Sequence, residues 1–147
     1  MYKAIPFDAH DESCIYIDVR SESEFAKGHI VSAINLPILH DIERHEVGLI
    51  YKNSSVEDAK KIGIRYGSEK LQLFFETITE LRTNNPTQKF VFYCARGGYR
   101  SRSIALLMRS IDIPVYWLNG GYKAYRQEVL NRLNSAENLP HFIVING

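Results

Sequence analysis

An α/β layered fold with a largely parallel sheet is what this sequence predicts, and three observations carry the prediction. Short β-rich runs alternate with helical patterns along the chain, so each strand is separated from the next by a segment that crosses over the sheet. One of these runs, Phe90-Val91-Phe92-Tyr93, is continuously apolar, the pattern of a buried strand. The chain has 147 residues, enough for one well-buried core and short for two.

In order, the predicted strands cover residues 3–6, 15–19, 33–36, 90–93 and 115–118, the last opened by Pro114 and closed by Asn119-Gly120-Gly121. Ser21-Glu22-Ser23-Glu24 has capping-box spacing and starts a short helix that Gly28 stops. Ser54-Ser55-Val56-Glu57 repeats the signal and starts a helix reaching about Tyr66, ended by Gly67. Leu71, Phe74, Phe75, Ile78 and Leu81 recur at helical spacing and predict a core-facing stripe. Ile104, Leu107, Met108 and Ile111 predict a second such face, and Tyr122, Tyr125, Val129 and Leu133 a third. Residues 41–53 form the least regular stretch, and there is no internal repeat or low-complexity segment.

The balance of 18 basic against 17 acidic residues provides no global field for nucleic acid, so any contact with RNA must come from a local basic patch. No apolar run approaches the roughly 20 residues needed to cross a bilayer, and Met1-Tyr2-Lys3-Ala4-Ile5 lacks a signal-peptide pattern. A cytoplasmic protein without membrane association is expected. Two cysteines, Cys14 and Cys94, lack the paired spacing of a zinc site or a disulfide framework, and His10, His40, His45 and His141 show no ligand spacing, so no metal site is expected. Cys14 opens the run Cys14-Ile15-Tyr16-Ile17 and reads as a small buried hydrophobe. His29, after Gly28, reads as a hydrogen-bonded structural histidine.

Cys94 is different. It ends the apolar strand and opens Cys94-Ala95-Arg96-Gly97-Gly98-Tyr99-Arg100-Ser101, which leads into a helix. Backbone N–H groups and the positive end of a helix favour an anion there and favour thiolate over thiol, while Arg96 and Arg100 add fixed positive charge. The predicted catalytic residue is Cys94, a nucleophile and carrier, with residues 95–101 as an anion- or donor-binding loop. Gly97 and Gly98 are expected to supply positive φ. Asp18 and Arg20, at a strand's carboxyl end, are candidate supporting residues, although Arg20 has Glu24 or a nearby carboxylate within reach as a simple ion partner.

Asp18-Val19-Arg20, Glu24-Phe25, Gly28-His29-Ile30, Ala33 and Asn35-Leu36-Pro37, followed by the cysteine loop and Gly120-Gly121, resemble a rhodanese-homology domain. Glu43-Arg44, Val47-Gly48, Tyr51-Lys52, the loop from Cys94 to Ser101, and Gly120-Gly121-Tyr122-Lys123-Ala124-Tyr125-Arg126 are together similar to the N-terminal rhodanese part of tRNA 2-selenouridine synthases. The resemblance implies a rhodanese-like three-layer fold with a central, mostly parallel five-stranded sheet flanked by helices. It implies a transferase that moves selenium or sulfur through Cys94 as 2-thiouridine at a tRNA wobble position becomes 2-selenouridine. Selenophosphate is the implied donor, and no cofactor is expected to be bound by this domain. Arg102, Lys123 and Arg126 are candidate tRNA contacts.

The resemblance further implies a P-loop (Walker A) domain, in cis or as a separate subunit. Residues 1–136 are then the rhodanese-like domain, and residues 137–147 a linker and first strand, Phe142-Ile143-Val144-Ile145-Asn146-Gly147, leading toward a P-loop absent from this chain. Five residues separate Cys94 from Arg100, a loop longer than in most simple sulfurtransferases of this fold and shared with phosphatases and arsenate reductases. Phosphatases with this loop usually carry histidine before the cysteine, where this chain has Tyr93. A phosphatase-like or arsenate-reductase-like enzyme is therefore the alternative, along with a non-catalytic recruitment module.

Overall fold

A computed structural model describes residues 4–135. The elements run β1 (Ala4–Ile5), β2 (Cys14–Asp18), α1 (Glu22–Lys27), β3 (Ile34–Asn35), α2 (Asp41–Asn53), α3 (Val56–Ser68), α4 (Leu71–Asn84), β4 (Lys89–Tyr93), α5 (Tyr99–Ser110), β5 (Tyr116–Leu118) and α6 (Gly121–Leu133). The five strands form one sheet in the order β1-β5-β4-β2-β3, with every neighbouring pair parallel. In the centre β2 pairs with β4 along its full length, from Cys14 opposite Lys89 to Asp18 opposite Tyr93.

Both faces of the sheet are covered, which is why β4 is apolar without alternation: Phe90, Val91, Phe92 and Tyr93 are all buried. Phe90, Phe92 and Cys94 look toward α4 and α5, packing with Phe74, Ile78, Ile104 and Met108. Val91 and Tyr93 look the other way, with Tyr16, Ile30, Leu118, Tyr122 and Tyr125. The phenol of Tyr93 accepts the Ile30 N–H at 3.1 Å and so ties the central strand to the segment before β3.

All five predicted strands are found with ends moved by a residue or two; Lys3, and residues 137–147 with His141, lie outside the described residues. Several helical expectations are corrected. Residues 41–53, read as irregular, form α2, capped through the Glu43 carboxylate, which accepts the His40 N–H at 2.8 Å. Helix α3 is capped by Ser55, whose hydroxyl accepts from the Asp58 N–H, and it runs through Gly67 instead of stopping there. Helix α5 starts at Tyr99, a turn earlier than its apolar periodicity suggests. Phe75, Leu107, Ile111 and Leu133, read as core, are exposed, while Phe74, Ile78, Ile104 and Met108 from the same stripes are buried. Each stripe is wider than the contact it makes, as a helix on a sheet covers only part of its apolar surface. No helix among the described residues is long and apolar enough to cross a membrane.

Candidate active site

Cys94 follows the last residue of the central strand, at the carboxyl end of the parallel sheet, where ligands of open α/β sheets bind. It is 3% exposed, with its sulfur pressed between the sheet and α5. Ser101, in the first turn of α5 and fully buried, donates its hydroxyl to Cys94 Sγ at 3.2 Å. Burial opposes charge on the thiol, yet the Ser101 hydroxyl, the Ser101 N–H, the Arg100 charge and the Arg96 N–H together outweigh it, and the pKa falls below that of an ordinary cysteine.

The loop is held open from beneath by α6. Gly97 adopts φ +70° and Gly121 φ +59°, conformations that exclude most L side chains. A Cβ on Gly97 would stand 2.9 Å from both the Gly120 nitrogen and the Leu118 carbonyl oxygen, and one on Gly121 would overlap the Cys94 carbonyl. At this crossing the Tyr122 N–H donates to the Cys94 carbonyl at 2.8 Å and the Lys123 N–H to that of Ala95 at 3.0 Å. Positive φ was expected of both loop glycines; Gly98 instead has φ −87° and serves as the N-cap of α5.

Arg100 is half-buried and turned to Glu24, which accepts from its two terminal nitrogens at 2.7 and 3.2 Å. The same carboxylate accepts the Ser21 N–H at 3.1 Å and lies 3.1 Å from Arg44 Nε. These donors overcome the desolvation of Glu24 and lower its pKa to about 2. Glu24 is the residue that sequence reasoning missed: its capping-box position was legible, its grip on the cysteine loop was not. Arg96, by contrast, is exposed on the loop's outer side.

Asp18 and Arg20 form a buried ion pair with Arg20 Nη2 2.6 Å from the carboxylate. The guanidinium also donates to the Gly28 carbonyl at 2.7 Å and lies 4.0 Å from the centre of the Tyr122 ring. The pair braces β2, β4 and α6 on the face opposite the sulfur, and of the carboxylates expected as partners for Arg20 it is the nearby Asp18, and not Glu24, that takes the contact. His29 has the expected structural role, its Nδ1 2.9 Å from the Phe25 carbonyl and its ring stacked on Phe25. Cys14 is only half-buried, beside Asp11, and burial raises its pKa. Of the predicted tRNA contacts, Lys123 and Arg126 line one open pocket of about 420 Å³, together with Arg96 and Ala95 of the loop and Tyr122. Arg102 stands apart from it, over the Tyr99 ring at 5.6 Å.

Comparison with known proteins places this geometry in a family. The rhodanese-like domain model matches residues 7–128. The chain is 35% identical over 133 residues to the tRNA 2-selenouridine synthase of Shewanella denitrificans, covering 89% of this chain and 35% of that protein. The synthase of Psychromonas ingrahamii is 33% identical, with 87% of this chain and 34% of that protein covered. The chain thus spans about a third of the length of these curated relatives. Among solved structures, the N-terminal domain of a protein named as ATP/GTP-binding, from Clostridium difficile 630, matches with a TM-score of 0.80 and 42% identity, over 86% of this chain and 98% of that one.

Proposed function

Because the chain belongs to the rhodanese-like domain family, we propose that it is the chalcogen-carrying part of a tRNA 2-selenouridine synthase system, with Cys94 as nucleophile and carrier. One observation carries this reading: a buried cysteine whose sulfur accepts the Ser101 hydroxyl at 3.2 Å, with its pKa depressed despite burial. Such a site holds a thiolate, or a persulfide or perselenide anion of the same charge, without needing a metal or an external base. The substrate class, tRNA with 2-thiouridine at the wobble position, comes from the relatives' activity, and the Arg96, Lys123 and Arg126 pocket beside the loop supports a polyanionic partner.

In this mechanism the Cys94 thiolate attacks the terminal chalcogen of an anionic donor. With thiosulfate, the new bond is S–S to Cys94, the donor's S–S bond breaks and sulfite leaves with its electron pair. With selenophosphate the same transfer balances only when phosphorus leaves as phosphite. The Ser101 hydroxyl and N–H and the Arg96 N–H hold the receiving sulfur in place. Arg100 keeps the loop rigid through Glu24, and because both its terminal nitrogens are engaged there, the arrangement favours chalcogen transfer over a phosphatase that needs this guanidinium for its oxyanion. The P-loop partner is proposed to lie in the part of the relatives that this chain does not cover.

The test is the intact mass of wild-type and Cys94→Ala protein after incubation with thiosulfate or selenophosphate, before and after reductant, with sulfite and phosphite assayed alongside. A reducible adduct of one sulfur or selenium atom, absent from the variant and matched by the leaving group, is expected. A wild-type mass unchanged by either donor would overturn the carrier role.

A further inference from the structure

The chalcogen chemistry leaves Tyr99 unused, although it belongs to the cysteine loop and opens α5. It is 70% exposed, the most exposed tyrosine among the described residues, and its phenol has no hydrogen-bond partner among them. Two cations approach its ring: Lys60 Nζ from α3 lies 5.8 Å from the ring centre, and Arg102 Cζ from α5 lies 5.6 Å from it. Both distances stand near the outer limit of about 6 Å for a cation–ring attraction, and the exposure shows that neither group covers the ring.

Tyr99 also lines an open, mainly apolar groove of about 900 Å³ between α2, α3 and the first half of α5, so there is free space beside the ring. Packing does not call for an aromatic here, since Tyr99 belongs to neither core cluster. Helix formation does not call for one either, because tyrosine forms helix less readily than alanine, leucine or methionine. A flat, exposed and lightly held ring suits an incoming flat group. Aromatic side chains on which unpaired bases stack are the common device of proteins that bind single-stranded RNA.

The proposed tRNA substrate needs such a device. Cys94 is 3% exposed, so a base stacked between its neighbours in an RNA strand cannot bring its 2-position against the sulfur. It has to leave the stack, and the stacking it gives up is best replaced by the protein. Tyr99 is placed to do so. Ser101, whose hydroxyl touches the sulfur, is two residues away, a span of at most about 7 Å, and Arg96 of the basic pocket is three residues away, at most about 11 Å. A strand whose phosphates meet Arg96, Lys123 and Arg126 can therefore lay one base on the ring.

We propose that Tyr99 is the stacking platform for the unstacked wobble base, a substrate-binding residue that holds the base beside the cysteine loop; the assignment rests on the tRNA reading of the site. The test titrates wild type, Tyr99→Ala and Tyr99→Phe, at low salt and by fluorescence anisotropy, into an anticodon stem-loop RNA with 2-thiouridine at the wobble position and into the same RNA with an abasic wobble nucleotide. Tyr99→Ala should bind the 2-thiouridine RNA about five- to a hundredfold more weakly than wild type, the range of one stacked base, and should bind the abasic RNA within about twofold of wild type. Tyr99→Phe, which keeps the ring, should match wild type on both. A loss confined to one RNA cannot come from misfolding, which weakens both. Undiminished affinity of Tyr99→Ala for the 2-thiouridine RNA, equal losses on the two RNAs, or a Tyr99→Phe variant as weak as Tyr99→Ala would each overturn the stacking role while leaving the tRNA reading in place. Absence of binding by wild type would overturn both. No chalcogen donor is present, so failure of the carrier role, read by intact mass, is seen separately.

Discussion

Burial by itself would push the Cys94 thiol up, so its depressed pKa measures how far the Ser101 hydroxyl and N–H, Arg100 and the Arg96 N–H prevail. Thiolate absorbance near 240 nm, followed against pH in a Cys14→Ala background, should therefore show a midpoint below the ordinary ~8.5 of cysteine. Ser101→Ala should move that midpoint upward with the fold retained; an unmoved midpoint would refute the role of the hydroxyl. Glu24 gives a second titration. Its folded pKa of about 2 lies below the ordinary value of 4.5, so its contribution is complete above pH 4.5 and is lost as pH falls toward 2. The difference corresponds to at most about 3 kcal/mol. In denaturant titrations Glu24→Gln should be less stable than wild type near pH 7 by about 2 to 3 kcal/mol, the two curves converging near pH 2; a gap independent of pH would overturn this account. Cys94 was legible because strand, loop and helix signals surround it in a few residues. Glu24 was legible only as a cap, because its partner Arg100 lies 76 positions away and only the sheet topology brings them together.

At the level of elements, the site depends on α6 as much as on α5. The first turn of α6 donates to the Cys94 and Ala95 carbonyls, and Gly121 is the contact point. Gly121→Ala forces an alanine into φ +59° and onto the Cys94 carbonyl, so it should destabilise the protein by about 2 to 4 kcal/mol and raise the Cys94 midpoint as the loop shifts. Gly48→Ala is the control: the space is open and the backbone helical, so melting should rise by the equivalent of up to about 1 kcal/mol. Equal losses in the two variants would show that the crossing is not special. The strands were legible because β-rich runs bounded by turn residues need little tertiary information. Helix α2 was not, since none of its residues is buried: its apolar residues face α3 and the groove and do not form a core stripe. The early start of α5 was hidden for a related reason, because its first turn is loop chemistry, Tyr99-Arg100-Ser101, with no apolar position before Ile104.

Over the whole molecule the net charge is +1, too small to draw a polyanion from a distance, so the proposed affinity for tRNA would have to arise where cations are gathered. The topology gathers three: Arg96 from the cysteine loop, with Lys123 and Arg126 from α6, lining one pocket beside Ala95. Arg102, on α5 over Tyr99, is not among them. Binding that neutralises three phosphates by counterion release has a slope of log K against log salt of about −2 to −3. The chain described here should therefore bind tRNA weakly and with that slope. Lys123→Glu combined with Arg126→Glu should flatten the slope toward zero and weaken binding at low salt, whereas Arg102→Glu should leave the slope nearly unchanged. Fluorescence anisotropy across a salt series reads all three. A slope much steeper than −3 would mean a wider contact surface than this pocket provides. A slope unchanged in the double variant would place the tRNA elsewhere on the molecule, away from Cys94, and would remove the electrostatic support for tRNA beside the cysteine loop.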